Sequence, residues 1–129
     1  MRYDIIIIGA GPGGIFSAYE LTRISSGRKI AVFESGTELE NRRCPIDGDG
    51  VKSCIHCQSC AIMNGFGGAG AFSDGKYNIT NQFGGTLHEY IGKRQATELM
   101  NYVDKINLRY GGQGTALYST ADTRIKKLC

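Results

Sequence analysis

The sequence predicts an α/β fold with a parallel central sheet, and three observations carry that prediction. A short strand-like segment, Tyr3 to Ile8, opens the chain and ends in four consecutive isoleucines. A glycine cluster and a helical pattern follow it. A second short apolar run, Lys29 to Phe33, ends in Glu34. Order and spacing together describe strand, glycine turn, helix, strand and acid, a Rossmann-like unit.

Tyr3 to Ile8 is rich in β-branched residues, as expected of a strand buried on both faces of a parallel sheet. Gly9, Gly11 and Gly14 satisfy G-x-G-x-x-G, with Ala10, Pro12 and Gly13 between them. Gly9 permits the tight turn. Gly11, without a side chain, lets backbone amides approach a diphosphate. Gly14 lets the helix lie close to the strand. Pro12 suits the first helical position, where a missing N–H leaves nothing unpaired. Ile15 to Ile24 reads as a helix, with Ile15, Ala18 and Leu21 at helical spacing, ended by Ser25-Ser26-Gly27. The amides and partial positive charge at its start suit phosphates.

Glu34 stands 20 residues after Gly14, where a carboxylate can accept both ribose hydroxyls of an adenine dinucleotide. An acid there repels a 2′-phosphate, so the pattern points to FAD or NAD in preference to NADP. The alternative is a structural glycine turn beside a solvated glutamate. The motif alone is a weak signal; flanked by both strands, the helix and the acid, it is a strong one.

Composition narrows the class. The 129 residues suit one domain, with 41% hydrophobic and 21% charged residues, so a packed core is expected and disorder is not. The 19 glycines, about twice the usual ~7%, are clustered without a three-residue period, which excludes collagen. A net charge of +3 is too weak to argue for nucleic acid or an acidic membrane surface. No apolar stretch has the length of a membrane span, and the Ile5 to Ile8 run lacks a basic leader and a cleavage site. A cytoplasmic, reducing location follows as an expectation. The five cysteines are then read as thiols, metal ligands or redox groups before disulfides.

Glu38 to Arg43 reads as a loop or short helix. Arg42 and Arg43 read as a solvated face, with the alternative that one arginine reaches cofactor phosphates. Cys44, Cys54, Cys57 and Cys60 are spaced C-x9-C-x2-C-x2-C. Three readings stand: an iron–sulfur or zinc site using all four, a reactive pair (Cys54 with Cys57 or Cys57 with Cys60), and free structural cysteines. The proline beside Cys44 lies upstream of the run, where ferredoxin-type clusters have it downstream. His56 reads as an ordinary loop histidine.

Gly65 to Lys76 holds too many glycines for a stable helix or plain strand. Such a run either packs against a flat ligand or phosphate or is merely flexible. Ser73, Asp74 and Lys76 add donors and charge. Tyr77 to Thr80 reads as a short strand and Asn81 to Gly85 as a turn. Thr86-x-x-Glu89 is a capping-box pattern opening a helix through Tyr90. A longer helix is expected from Gln95 to Tyr110, with Leu99, Tyr102, Val103, Ile106 and Tyr110 on its apolar face, stopped by Gly111-Gly112. His88 and Lys105 read as surface groups. A last short helix is expected after Ser119 to Asp122.

The pairing of IIIIGAGPGGIFSAYEL and VFE with RRCP, C-x-x-C-x-x-C and GFGGAGAFSDGKYNIT resembles the NAD(P)/FAD-dependent oxidoreductases known as uncharacterised FAD-dependent dehydrogenases. The resemblance covers nearly the whole chain, and its second half is the more specific. It implies FAD held by Gly9, Gly11, Gly14 and Glu34. It also implies that the segment Gly67 to Gly75, with Gly68, Ala69, Gly70 and Ser73, lines the flavin or diphosphate from the other side. It assigns the cysteines no role.

Members of that family are several times longer, so the expected architecture is the N-terminal portion of an FAD/NAD(P)-binding domain over 1–129. Its parts are a βαβ unit over 1–35, a Cys- and Gly-rich insertion over 36–85 and a helical segment over 86–129. Exposed strand edges and an uncovered sheet face are expected to favour aggregation. Three functions follow: the FAD-binding part of an oxidoreductase with a small-molecule substrate or electron partner, a non-catalytic nucleotide- or metal-binding module, and an NAD enzyme without flavin. No catalytic acid or base is identifiable; His88 and Tyr77 carry no positional argument.

Overall fold

The computed structural model describes residues 2–25, 27–73, 78–82 and 84–112. The chain forms two compact units, Met1–Ser73 and Asp74–Cys129.

In the first unit, strand β1 (Ile5–Ile8) leads into helix α1 (Pro12–Ile24) and returns as strand β2 (Ile30–Phe33). The strands pair in parallel, Ile5 with Ile30 through Ile8 with Phe33. Four consecutive isoleucines favour an extended chain because a branched Cβ fits the pleat and resists the helix. Asp4 pins the start of both strands. Its carboxylate accepts the Lys29 amide at 2.8 Å, and its own amide donates to the Lys29 carbonyl at 2.9 Å. Pairing continues past β1, where the Gly9 amide donates to the Phe33 carbonyl at 2.7 Å.

The expectation of a strand buried on both faces is corrected. Ile5 and Ile7 are half-buried, but Ile6 and Ile8 are 58% and 81% exposed. The cause is the two-stranded sheet. Helix α1 covers one face, Gly14 lying against Ile7, and among the described residues the opposite face, with Phe33, is left to solvent.

Beyond β2 a single 3₁₀ turn, Leu39–Asn41, precedes Arg42. The segment Gly68–Phe72 is also a 3₁₀ helix, against the expectation that its glycines forbid one. Tertiary contacts override propensity here. Gly67 enters in the left-handed region (φ 88°), and its amide donates to the Ala10 carbonyl at 2.8 Å.

The second unit holds helices α2 (Leu87–Ile91) and α3 (Lys93–Arg109), hinged at Gly92, whose φ of 80° suits glycine. The helix expected after Thr86 forms, but the capping box does not: the Thr86 side chain makes no cap bond. Instead the Glu89 amide reaches the Thr86 carbonyl at 2.9 Å. The buried face of α3 is centred on Ala96, 1% exposed, with Met100 and Val103 half-buried. Leu99 and Tyr110 are exposed, so the expected stripe is rotated toward Ala96. Asn81 ties the preceding loop to α3 through the Lys93 carbonyl at 3.0 Å and the Thr97 hydroxyl at 2.7 Å.

Residues 78–80 are not a strand, since they have no pairing partner among the described residues. Lys105 is exposed as expected, while His88 is half-buried. Tyr77 and the helix expected after Ser119 lie outside the described residues. Among the described residues no helix is long and apolar enough to cross a membrane.

Candidate dinucleotide site

The site is built at the carboxyl ends of β1 and β2, the place where open α/β folds leave a crevice. Gly9 turns the chain with a φ of 94°. Gly11 is the N-cap of α1, contributes no side-chain cap bond, and is followed by Pro12. The first-turn amides of the helix therefore meet no capping side chain. A methyl group on Gly13 would meet nothing within 4 Å, whereas one on Gly14 would collide with the Gly9 carbonyl. The fit to a diphosphate is good: open space above Gly13, helix amides below it, and close helix–strand contact at Gly14.

That contrast yields a prediction. Gly14→Ala should lower the thermal midpoint by several degrees, because the collision is with backbone. Gly13→Ala should leave the midpoint unchanged or raise it slightly through helix propensity. Thermal melts followed by circular dichroism compare them; equal losses in both variants would refute the packing account.

Glu34 is turned into the glycine turn. Its Oε2 accepts the Ala10 amide at 2.7 Å. Its Oε1 accepts the amides of Gly36 at 2.9 Å and Gly65 at 3.1 Å, and the Ser35 hydroxyl lies at 3.4 Å. A carboxylate has about four acceptor positions. Oε1 holds three of these contacts and Oε2 one.

These donors hold the Glu34 carboxyl below the usual carboxylate range, the Ala10 amide most strongly, then that of Gly36; partial burial opposes them. The folded chain then takes up this proton less readily than the unfolded chain. Its contribution to stability is complete above the unfolded glutamate value of about 4.3 and is lost as pH falls through the lowered folded value. The melting temperature should therefore fall below about pH 4. Glu34→Gln should flatten that acid limb and lower the neutral-pH midpoint, since its amide NH₂ would face backbone donors. An unchanged acid limb in the variant would assign the effect elsewhere.

The glycine-rich segment meets the turn directly. A Cβ on Gly68 would lie 3.1 Å from the Gly11 Cα and 3.2 Å from Pro12 Cδ; one on Gly70 would lie 3.3 Å from Pro12 Cγ. Gly68 is buried, while Ala69, Gly70 and Ser73 are exposed. Asp74, Gly75 and Lys76 lie outside the described residues.

Arg42 is the residue that sequence reasoning missed. It was expected on a solvated face or at a phosphate, yet it is 4% exposed. Its Nε donates to the Ala61 carbonyl at 2.8 Å and its Nη2 to Ile62 at 2.7 Å. Its Nη1 donates to Phe66 at 2.7 Å and Gly68 at 2.8 Å. The guanidinium lies 4.8 Å from the centre of the Phe72 ring. Arg43 is exposed, as expected. Gly36 and Gly65 were also missed. Gly36 lies outside any motif and Gly65 only opens the glycine-rich segment; the steric need for them arises where residues 34–37 meet 64–66.

The metal reading of Cys44, Cys54, Cys57 and Cys60 finds no support in the structure. Among the described residues no group of three or more His, Cys, Asp or Glu is placed to hold a metal ion. All four are free; Cys54 and Cys57 are exposed while Cys44 and Cys60 are half-buried. His56 adopts a left-handed φ of 53°, and its amide lies 3.4 Å from the Cys54 sulfur.

A parallel strand–helix–strand unit with an acid turned into its glycine turn defines a Rossmann-like dinucleotide-binding protein. The profile of the pyridine nucleotide-disulphide oxidoreductase family matches residues 3–118, and the chain belongs to that family. No curated protein and no solved structure matches it.

Proposed function

We propose that this chain is the FAD-binding part of a flavin-dependent oxidoreductase, with the dinucleotide held by Gly9–Gly14, Glu34 and the Gly68–Gly70 segment. The observation that carries the reading is the Glu34 carboxylate, fixed on the Ala10 amide of the glycine turn at 2.7 Å. An adenine ribose seated there donates a hydroxyl to Oε2, and a 2′-phosphate is repelled. The α1 amides take the diphosphate. A flavin bound in this way would supply hydride or electron transfer; the protein's part is to bind and orient it. Its reaction partner is a small-molecule substrate or electron carrier.

The test is to purify the full chain, record its visible spectrum, denature it and identify the released nucleotide. FAD is the expected result. NAD alone would replace the flavin reading with that of a nicotinamide enzyme. No nucleotide, together with no FAD or NAD binding on titration, would sink both.

A further inference from the structure

We propose that Arg42 is a positioning residue of the dinucleotide site, acting on the diphosphate through the backbone it holds and not by contact. The inference rests on the dinucleotide reading above. Four carbonyl oxygens, those of Ala61, Ile62, Phe66 and Gly68, point to one guanidinium. Among the described residues Arg42 has no carboxylate partner; its buried charge is met by these dipoles and the Phe72 ring. A buried charge needs such partners, so the arrangement is demanding and specific.

Its consequence falls on the glycine turn. Gly68 is the residue stacked on Gly11 and Pro12, where the helix amides receive phosphate. Left free, its carbonyl oxygen is a partial negative charge beside a dianion. Arg42 binds that oxygen, with three others, and offsets its partial charge. The same cation adds a positive field in a region of low dielectric. Lysine cannot replace it, because one ammonium presents three donors from a point and cannot span four carbonyls around a plane.

The experiment compares ADP with adenosine as probes of the full chain by titration calorimetry, in wild type and in Arg42→Lys. Both probes use the Glu34 side of the site, but only ADP carries the diphosphate. Arg42→Lys should weaken ADP about tenfold, as expected for lost charge-assisted contacts, and change adenosine about twofold or less. Proportionate weakening of both probes would reduce Arg42 to a general structural support and overturn the proposal. So would unchanged ADP binding. If wild type binds neither probe, the dinucleotide reading itself fails. A second measurement needs no variant: in ¹⁵N spectra of wild type, the Arg42 Nε–H resonance should shift with ADP and stay in place with adenosine. A resonance indifferent to ADP would overturn the proposal even where the lysine variant does not fold.

Discussion

Arg42→Ala should destabilise the first unit by on the order of 3 kcal/mol. The substitution leaves four carbonyls without their donor and removes the cation from the Phe72 ring. Each buried carbonyl left unpaired costs about 1–3 kcal/mol, and partial rehydration limits the sum. The expected readout is a large drop in the urea midpoint, with proteolysis appearing first in residues 61–72. Arg43→Ala is the control, since Arg43 is exposed. A loss of less than about 0.5 kcal/mol for Arg42→Ala, the scale of a surface substitution, would show that the guanidinium is not what holds the segment.

Gly65→Ala should be nearly as damaging, at about 2–4 kcal/mol. Gly65 has a φ of 123°, a region closed to residues with a side chain. Its added Cβ would lie 2.6 Å from Arg42 Cδ and 2.7 Å from the Thr37 carbonyl oxygen. Its amide also feeds Glu34 Oε1. One methyl group therefore strains the backbone, displaces Arg42 and loosens the acid. On the proposed FAD reading the variant should lose nucleotide binding together with stability, unlike Gly13→Ala, whose added Cβ meets nothing within 4 Å. A Gly65→Ala chain that melts and binds as wild type would contradict the described packing of residues 34–37 on 64–66.

The two predictions share a cause that separates the readable from the hidden part of the molecule. The first βαβ unit was legible because its determinants are local. Four β-branched residues make a strand, Pro12 and the open amides start a helix, and Gly27 (φ 93°) follows its end. Element ends moved by at most three residues, with α1 beginning at Pro12 where Ile15 was read. Glu34 was legible as well, since a fixed spacing on a rigid unit brings it to the turn. Its partners Gly36 and Gly65 were not.

The failures all involve partners distant in sequence. A sheet of two strands leaves Ile6 and Ile8 open, which no property of the isoleucines themselves announces. The glycines of 68–72 form a 3₁₀ helix where distant partners hold its start, Arg42 on the Gly68 carbonyl and the Ala10 carbonyl on the Gly67 amide. The cysteine spacing fits a metal centre, yet among the described residues no three candidate ligands are placed to hold one.

By itself, then, the sequence determined the dinucleotide-binding turn and the acid that faces it, because short-range sterics and strand–helix spacing leave the backbone few choices there. Only the tertiary structure decided that Arg42 is buried and that the glycine-rich segment rests on Gly11. Those outcomes depend on which distant carbonyls, amides and surfaces meet, and a buried charge takes whichever partners the completed packing offers.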